Sequence, residues 1–476
     1  MTPTNGPGSD PTAFPPPASP VEQPQVLQPP PQHLRSKKPL IAALAVIAIL
    51  GAGVGVFIAT RSDDKDSSAA TDSPLVRYNY DDEELEVLDA SGDVVDSFDV
   101  PGASDDPFVT GWAGRVIFTA ASGDEVLAVK VADGSVDRFD VPDELSLDRT
   151  YIAGSTNLVL YSPTGGDVVV IDLETGDSTS ALDELGDRDS KLTRARQFAT
   201  GSTYTDVGGD EQQTLVVPIV GSELWAVPGF VVVLDGERSL AIAPDDESTT
   251  VSIYERDKDI GSVKVDGSVR GGVLTGDDSA LVVTAEGDIV KIDIGAEEAT
   301  VTDTLANPIQ SALALTPKRI FVQGDESSSF LLDDAGKTIA EFEPVDDDDG
   351  DPQAIVAFSF RAGAECFATQ AGPEPGPDAS AVAIRDLDSG DVLTELDSGA
   401  VVIGDHGCAA VTPYDSTADV YFDGEVHEFD GYFNVLTVSP DLTQVVVSGE
   451  DGSALIDVAS GDETELDRFQ YAFVTG

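Results

Sequence analysis

The sequence predicts an all-β fold, a β-propeller of about eight four-stranded blades with seven to ten compatible with the spacing, preceded by one transmembrane helix. The first observation behind this is a recurring phrase: an apolar run, an Asp, a Gly turn and a second strand. It stands at Val168–Asp177, Ala381–Asp391 and Ala454–Asp462, with looser copies at Leu85–Asp93, Leu127–Ser135, Ile289–Ala296 and Phe330–Lys337. Self-similarity at a spacing of roughly 40 residues marks a radial or stacked array of small sheets. The second is that, from Val76 onward, short alternating runs are punctuated by Gly, Asp and Pro, and no helical period is sustained. The third is a stretch of twenty uncharged residues, Leu40–Ala59.

Residues 1–38 are rich in Pro, with PPP at Pro15–Pro17 and Pro29–Pro31, and read as a disordered or polyproline-II cytoplasmic tail. The segment 39–60 matches a hydrocarbon core of about 30 Å at about 1.5 Å rise per residue. Arg35, Lys37 and Lys38 precede it, while Asp63, Asp64 and Asp66 follow, so the amino terminus is expected in the cytoplasm and the rest outside. A cleaved signal peptide is the rival reading, disfavoured by the long lead and the long apolar core. Gly51 and Gly55 form a GxxxG spacing that could pair such helices, a pattern common in apolar segments. Residues 61–75 form a polar linker, and 76–476 the propeller.

Val435–Phe469 shows a whole unit: strand, SPD turn, strand, Gly turn, strand, SGD turn, strand. Such units centre near residues 127, 169, 253, 290, 331, 383, 420 and 455. Val76–Val100 supplies an incomplete first blade. Tyr471–Val474 is a strand left over at the other end, so closure by the two termini is expected, leaving no free edge. In the repeated turn, Asp accepts local backbone hydrogen bonds and Gly supplies positive φ. These Asp residues are therefore turn formers rather than a row of catalytic acids.

The turns at Ser439–Asp441, Ala243–Asp245, Thr175–Asp177, Ser389–Asp391 and Ser460–Asp462 make the chain resemble bacterial propellers with YVTN, quinoprotein-like and WD-type repeats. The resemblance implies the fold. It departs from the WD and quinoprotein patterns, because no Trp-Asp pair closes a repeat and Trp112 and Trp225 are the only tryptophans. The Ala, Val, Gly and Asp bias with little Lys resembles the composition of a high-GC bacterium.

Charge excludes one class of partner. Asp and Glu number 88 against 26 Lys and Arg, a net charge of -62, whereas nucleic acid requires clustered cations. The chain is still 41% hydrophobic, so a charged surface over a real core is expected. The acidic field favours cations and basic partners.

Cys366 and Cys408 follow strands by the same offset and are about one repeat apart, which predicts a disulfide between neighbouring blades, with two buried free thiols as the alternative. His406 near Cys408 has no second base or oxyanion motif beside it. Asp346–Asp349 with Asp351 suggests at most loose Ca²⁺ association, since Val345 and Val356 occupy the end positions of an EF-hand alignment. No cofactor is expected. GxSxG, HExxH and Walker patterns are absent, which leans away from an enzyme.

Leu185–Gly229 loses the repeat phrase. It carries Arg188, Lys191, Arg194 and Arg196 together with Trp225, and two readings stand side by side: a partner-binding specialisation, or a diverged blade whose cations offset the negative field. Blade geometry puts the longer connections Gln370–Ser380, Pro413–Asp419, Pro344–Pro352 and Leu182–Thr193 on one face, the expected side for ligands. The functional expectation is a single-pass, membrane-tethered module at the cell envelope that binds a protein or other envelope ligand of basic character. The alternatives are an envelope hydrolase or quinoprotein-like dehydrogenase at the propeller axis, and a structural envelope component.

Overall fold

The computed structural model describes residues 73–474, except 105–109, 143–144, 148–154, 163–164, 186–190, 199, 207–211, 220–222, 326–327, 344–352, 359–364, 372–380, 397–400, 405–407, 415–416, 423, 440–441, 451 and 468. The expected tail, transmembrane helix and nearly all of the linker lie outside these residues. Among the described residues, ten four-stranded antiparallel sheets account for every strand, and the one helix is a single turn, Ala181–Leu185. No described helix is long and apolar enough to cross a membrane.

The sheets are the blades of a propeller. Blade 1 is 75–99 with 470–473, and blades 2 to 10 follow as 110–140, 146–180, 192–228, 230–266, 269–304, 309–342, 353–396, 402–430 and 432–466. In blades 2 to 10 the strands run in sequence order from the axis outward, and innermost strands of neighbouring blades abut around much of the ring. The ring closes as expected. Gln470–Phe473 pairs antiparallel with Leu75–Asn79, with Leu75 opposite Phe473 and Tyr78 opposite Gln470, and it takes the innermost place in blade 1.

Ten hydrophobic clusters hold the ring, one at each junction between neighbouring blades. The junction of blades 5 and 6 buries Val251, Ile253 and Val265 against Val282, Val290 and Ile292. The junction of blades 10 and 1 buries Val446, Leu455 and Leu466 against Leu75, Tyr471 and Phe473. Alternation explains this: the side chains of each strand project to both faces of its blade, and both faces meet a neighbour.

Ten blades is the upper end of the expected range. The eight repeat units read from sequence are blades 2, 3 and 5 to 10; the two beyond them are the composite blade 1 and blade 4. Blade 4 occupies the stretch where the phrase vanishes, so that stretch folds as a blade like the others. Its second strand, Gly201–Asp206, is buried throughout although it reads GSTYTD. Thr and Tyr favour strands, and the hydroxyls can bond to backbone. Thr203 Oγ1 donates to the Arg196 carbonyl at 3.0 Å and, on the next strand, Thr214 Oγ1 to that of Gly229 at 2.7 Å.

The repeated Asp residues act in turns. Asp172 Oδ1 accepts from the amides of Glu174 and Thr175, and Gly176 has φ 75°. Asp386 with Gly390, and Asp457 with Gly461, repeat the arrangement.

The disulfide is present. Cys366 opens the second strand of blade 8 and Cys408 stands just before the second strand of blade 9, with their Cα atoms 5.1 Å apart. For a separation of 42 residues, loop-closure entropy gives about 4 kcal/mol of stabilisation.

Candidate functional site

The outer perimeter of the ring is strongly acidic. The fourth strand of each blade, and Val94–Asp99 in blade 1, pairs on one side only, leaving the other edge of the sheet open. These ten strands hold fifteen acidic residues against three basic ones, Arg138, Lys258 and Lys264. Exposed aliphatics interrupt the acids on the same strands: Val94 and Val95, Val301, Val392 and Leu393, and Val426. An open edge bearing charges is protected against self-pairing, because like charges repel a second copy. Against a chain of opposite charge that protection disappears.

The fourth strands of blades 3 and 4, Ser178–Ser180 and Trp225–Pro228, carry no charge. At the latter, the perimeter opens into a recess of about 290 Å³ lined by Leu215, Glu223, Leu224, Trp225, Ala226, Arg256 and Asp257. The connections between third and fourth strands of blades 4 and 5 supply most of the lining. Trp225 packs into the core of that junction with Phe198, Val216, Val231 and Tyr254, and only its margin reaches the recess. Its indole Nε1 is buried without a hydrogen-bond partner among the described residues. Arg256 covers the ring, with its guanidinium carbon 5.4 Å from the centroid. That guanidinium also reaches Glu223 Oε2 at 2.6 Å and Glu237 Oε1 at 3.6 Å, and the bond to Glu223 raises its pKa.

Arg256 sits at a hairpin turn with φ 57°, a conformation uncommon outside Gly, and its amide donates to the Glu237 carbonyl at 2.6 Å. Sequence reasoning missed it, since ERDKD reads as one more charged turn. The available signal was a turn that needs positive φ yet lacks Gly.

The residues predicted around Trp225 are not gathered beside it. Arg188 lies outside the described residues. Lys191 is exposed just ahead of the first strand of blade 4, and its amide donates to Asp206 Oδ1 at 3.1 Å. Arg194 belongs to that first strand, Leu192–Phe198, but its side chain is outside the description. Arg196 is on the same strand, largely buried. Trp225 is on the fourth strand of the sheet, so about three inter-strand spacings of about 4.8 Å, roughly 14 Å, separate it from Arg196. Arg194 and Arg196 thus belong to the innermost strand of blade 4 and Trp225 to its outermost.

Burial lowers the pKa of the Arg196 guanidinium, whose recorded hydrogen bond is from Nη1 to the Val232 carbonyl of blade 5 at 3.1 Å. The acidic run 346–351, His406, the connection 344–352 and nearly all of 370–380 lie outside the described residues. Among the described residues, no group of three or more His, Cys, Asp or Glu is placed to hold a metal ion.

No protein-family model matches the chain, and no curated protein matches it. Solved structures are similar in fold. Dihydro-heme d1 dehydrogenase NirN in complex with DHE has a TM-score of 0.39 at 14% identity, over 72% of this chain and 76% of that one. Apo AztD from Citrobacter koseri has a TM-score of 0.34 at 12% identity, over 68% and 94%. BamB from Moraxella catarrhalis has a TM-score of 0.33 at 12% identity, over 67% and 95%. The likeness is one of fold alone; the ten-bladed architecture rests on the strand pairing itself.

Proposed function

We propose that the chain is a single-pass, membrane-tethered propeller at the cell envelope, with its amino terminus cytoplasmic and its blades outside, that binds a basic protein or basic envelope ligand. The perimeter carries this reading. Open strand edges offer backbone donors and acceptors, exposed aliphatics offer apolar contact, and the surrounding carboxylates select positive charge. The recess at Trp225 supports it: a cation already lies over the indole between carboxylates there, which is the environment a partner's Lys or Arg would enter.

The test uses the full chain in detergent micelles and a fluorescent peptide of alternating Lys and Val. Fluorescence anisotropy should report binding that weakens several-fold as NaCl rises from about 0.05 to about 0.5 M, because exposed charge pairs are screened. Replacing Glu425, Glu428 and Asp430 with their amides should weaken it further. Binding indifferent to salt, or none, would remove the perimeter as the binding surface. Protease added to intact cells should digest the propeller; protection there with digestion in inverted vesicles would reverse the orientation.

A further inference from the structure

The ring is polarised by charge along its radius. Its ten innermost strands, including Gln470–Phe473, contain just four charged residues: Arg194, Arg196 and Arg270 against Asp235. The outermost strands hold fifteen carboxylates. In a chain with 88 acids and 26 bases, the inner wall is therefore neutral to cationic.

The two described cations on that wall lack the partners that other arginines have. Arg77, Arg115, Arg138, Arg238, Arg256 and Arg319 each meet a carboxylate within 4.0 Å. Arg385 is held by Thr369 Oγ1 at 2.8 Å and the Gly390 carbonyl at 3.1 Å, over the ring of Phe342. Arg196 has the Val232 carbonyl and the face of Phe198, and no carboxylate among the described residues. Arg270 is exposed and has no ion pair or side-chain hydrogen bond among the described residues. Asp235 does not neutralise them, because it pairs with Arg238 at 3.2 Å.

Backbone geometry argues that Arg270 faces the axis. Pairing of Val269–Leu274 with the second strand of blade 6 shifts register between Val269 and Gly271, so Arg270 is the extra residue of a β-bulge. A bulge re-aims its side chain away from the regular alternation. The neighbours Val269 and Gly271 are buried, and a Cβ on Gly271 would lie 2.0 Å from the Ala312 carbonyl oxygen of blade 7. With the junction closed that tightly, the long exposed side chain has the channel as its free direction. Gln310, the bulge residue of the first strand of blade 7, is likewise exposed. Between Arg196 and Arg270 runs the first strand of blade 5, Phe230–Asp235, which abuts both their strands.

We propose that the axial channel contains an oxyanion-binding site in which Arg270 is the accessible guanidinium and Gln310 an adjoining amide donor. The ligand is a phosphate or carboxylate group, whose paired oxygens match the fork of an arginine. The site is independent of the perimeter and selects the opposite charge. An acidic exterior does not exclude it, since exposed charges are screened over about 8 Å at physiological ionic strength.

The experiment titrates inorganic phosphate, and separately citrate, into the full chain in micelles at constant ionic strength set by chloride, reading the thermal midpoint and the heat of binding. At least one of the two anions should raise the midpoint beyond chloride by mass action. Arg270→Gln, an exposed substitution, should weaken that anion's binding at least about tenfold. Arg319→Gln, which breaks an ion pair elsewhere, should leave the dissociation constant unchanged. The comparison of phosphate with citrate identifies the ligand class. Absence of any effect beyond chloride with both anions, or an unaltered dissociation constant in Arg270→Gln, would overturn the proposal.

Discussion

Around the closing strand, a few side chains tie the two ends of the chain together. Arg77 on the first strand pairs with Glu86 on the second and with Asp467 at 3.0 Å, and stacks over Phe469. Tyr471 on the closing strand donates its hydroxyl to the Asp467 carbonyl at 2.6 Å. Burial, more than any charge, pushes the Tyr471 phenol up to about 12. An unfolded tyrosine loses its proton near pH 10, so this stabilisation is complete below about pH 10 and disappears as pH rises through about 12. Urea unfolding across that window should show stability falling with pH, less steeply in Tyr471→Phe; superimposed curves would remove Tyr471 from the account. Residue roles were legible where chemistry is local: Asp172, Asp386 and Asp457 read as turn formers and are. Arg256 was not, because its role depends on a tryptophan in another blade.

At the scale of the element, legibility followed apolarity. Runs such as Val168–Asp172 announce themselves, but Gly201–Asp206 is buried with hydroxyl side chains and reads as surface. The innermost strands of blades 3 and 9, Ser146–Leu147 and Val402–Ile403, are too short to show any period. The pairing of Cys366 with Cys408 was legible because both follow strands by one offset in successive repeats. The closing strand was legible as a remainder, and it yields a prediction. Removing residues 469–476 strips Leu75–Asn79 of its inner partner and exposes a strand edge at the axis. The truncated chain should melt at lower temperature and self-associate by light scattering; a chain lacking 475–476 alone should match the full one. A monomeric truncation with the full-length midpoint would show that closure adds nothing.

Over the whole molecule, fold and net charge were open to a reader of the sequence, and the distribution of that charge was not. Composition gives -62, but it takes the strand order to send fifteen carboxylates outward and leave three arginines within. So concentrated a negative perimeter repels itself in the folded state more than in an expanded chain. The thermal midpoint should therefore rise by several degrees between about 0.01 and about 0.5 M NaCl, as the screening length shortens from about 30 Å to a few ångströms. A midpoint that falls or stays level with added salt would mean the perimeter charges are already compensated.

The seam in blade 1 also gives the molecule a clock. A ribosome makes Leu75–Asp99 before the other nine blades and Gln470–Phe473 after them, so the opening hairpins must wait through nine further blades for the strand that completes them. Each intermediate blade can dock on its predecessor as it emerges, but the ring has no final geometry until Gln470–Phe473 has been made. A chain interrupted anywhere before that strand remains an open arc with two unsatisfied ends.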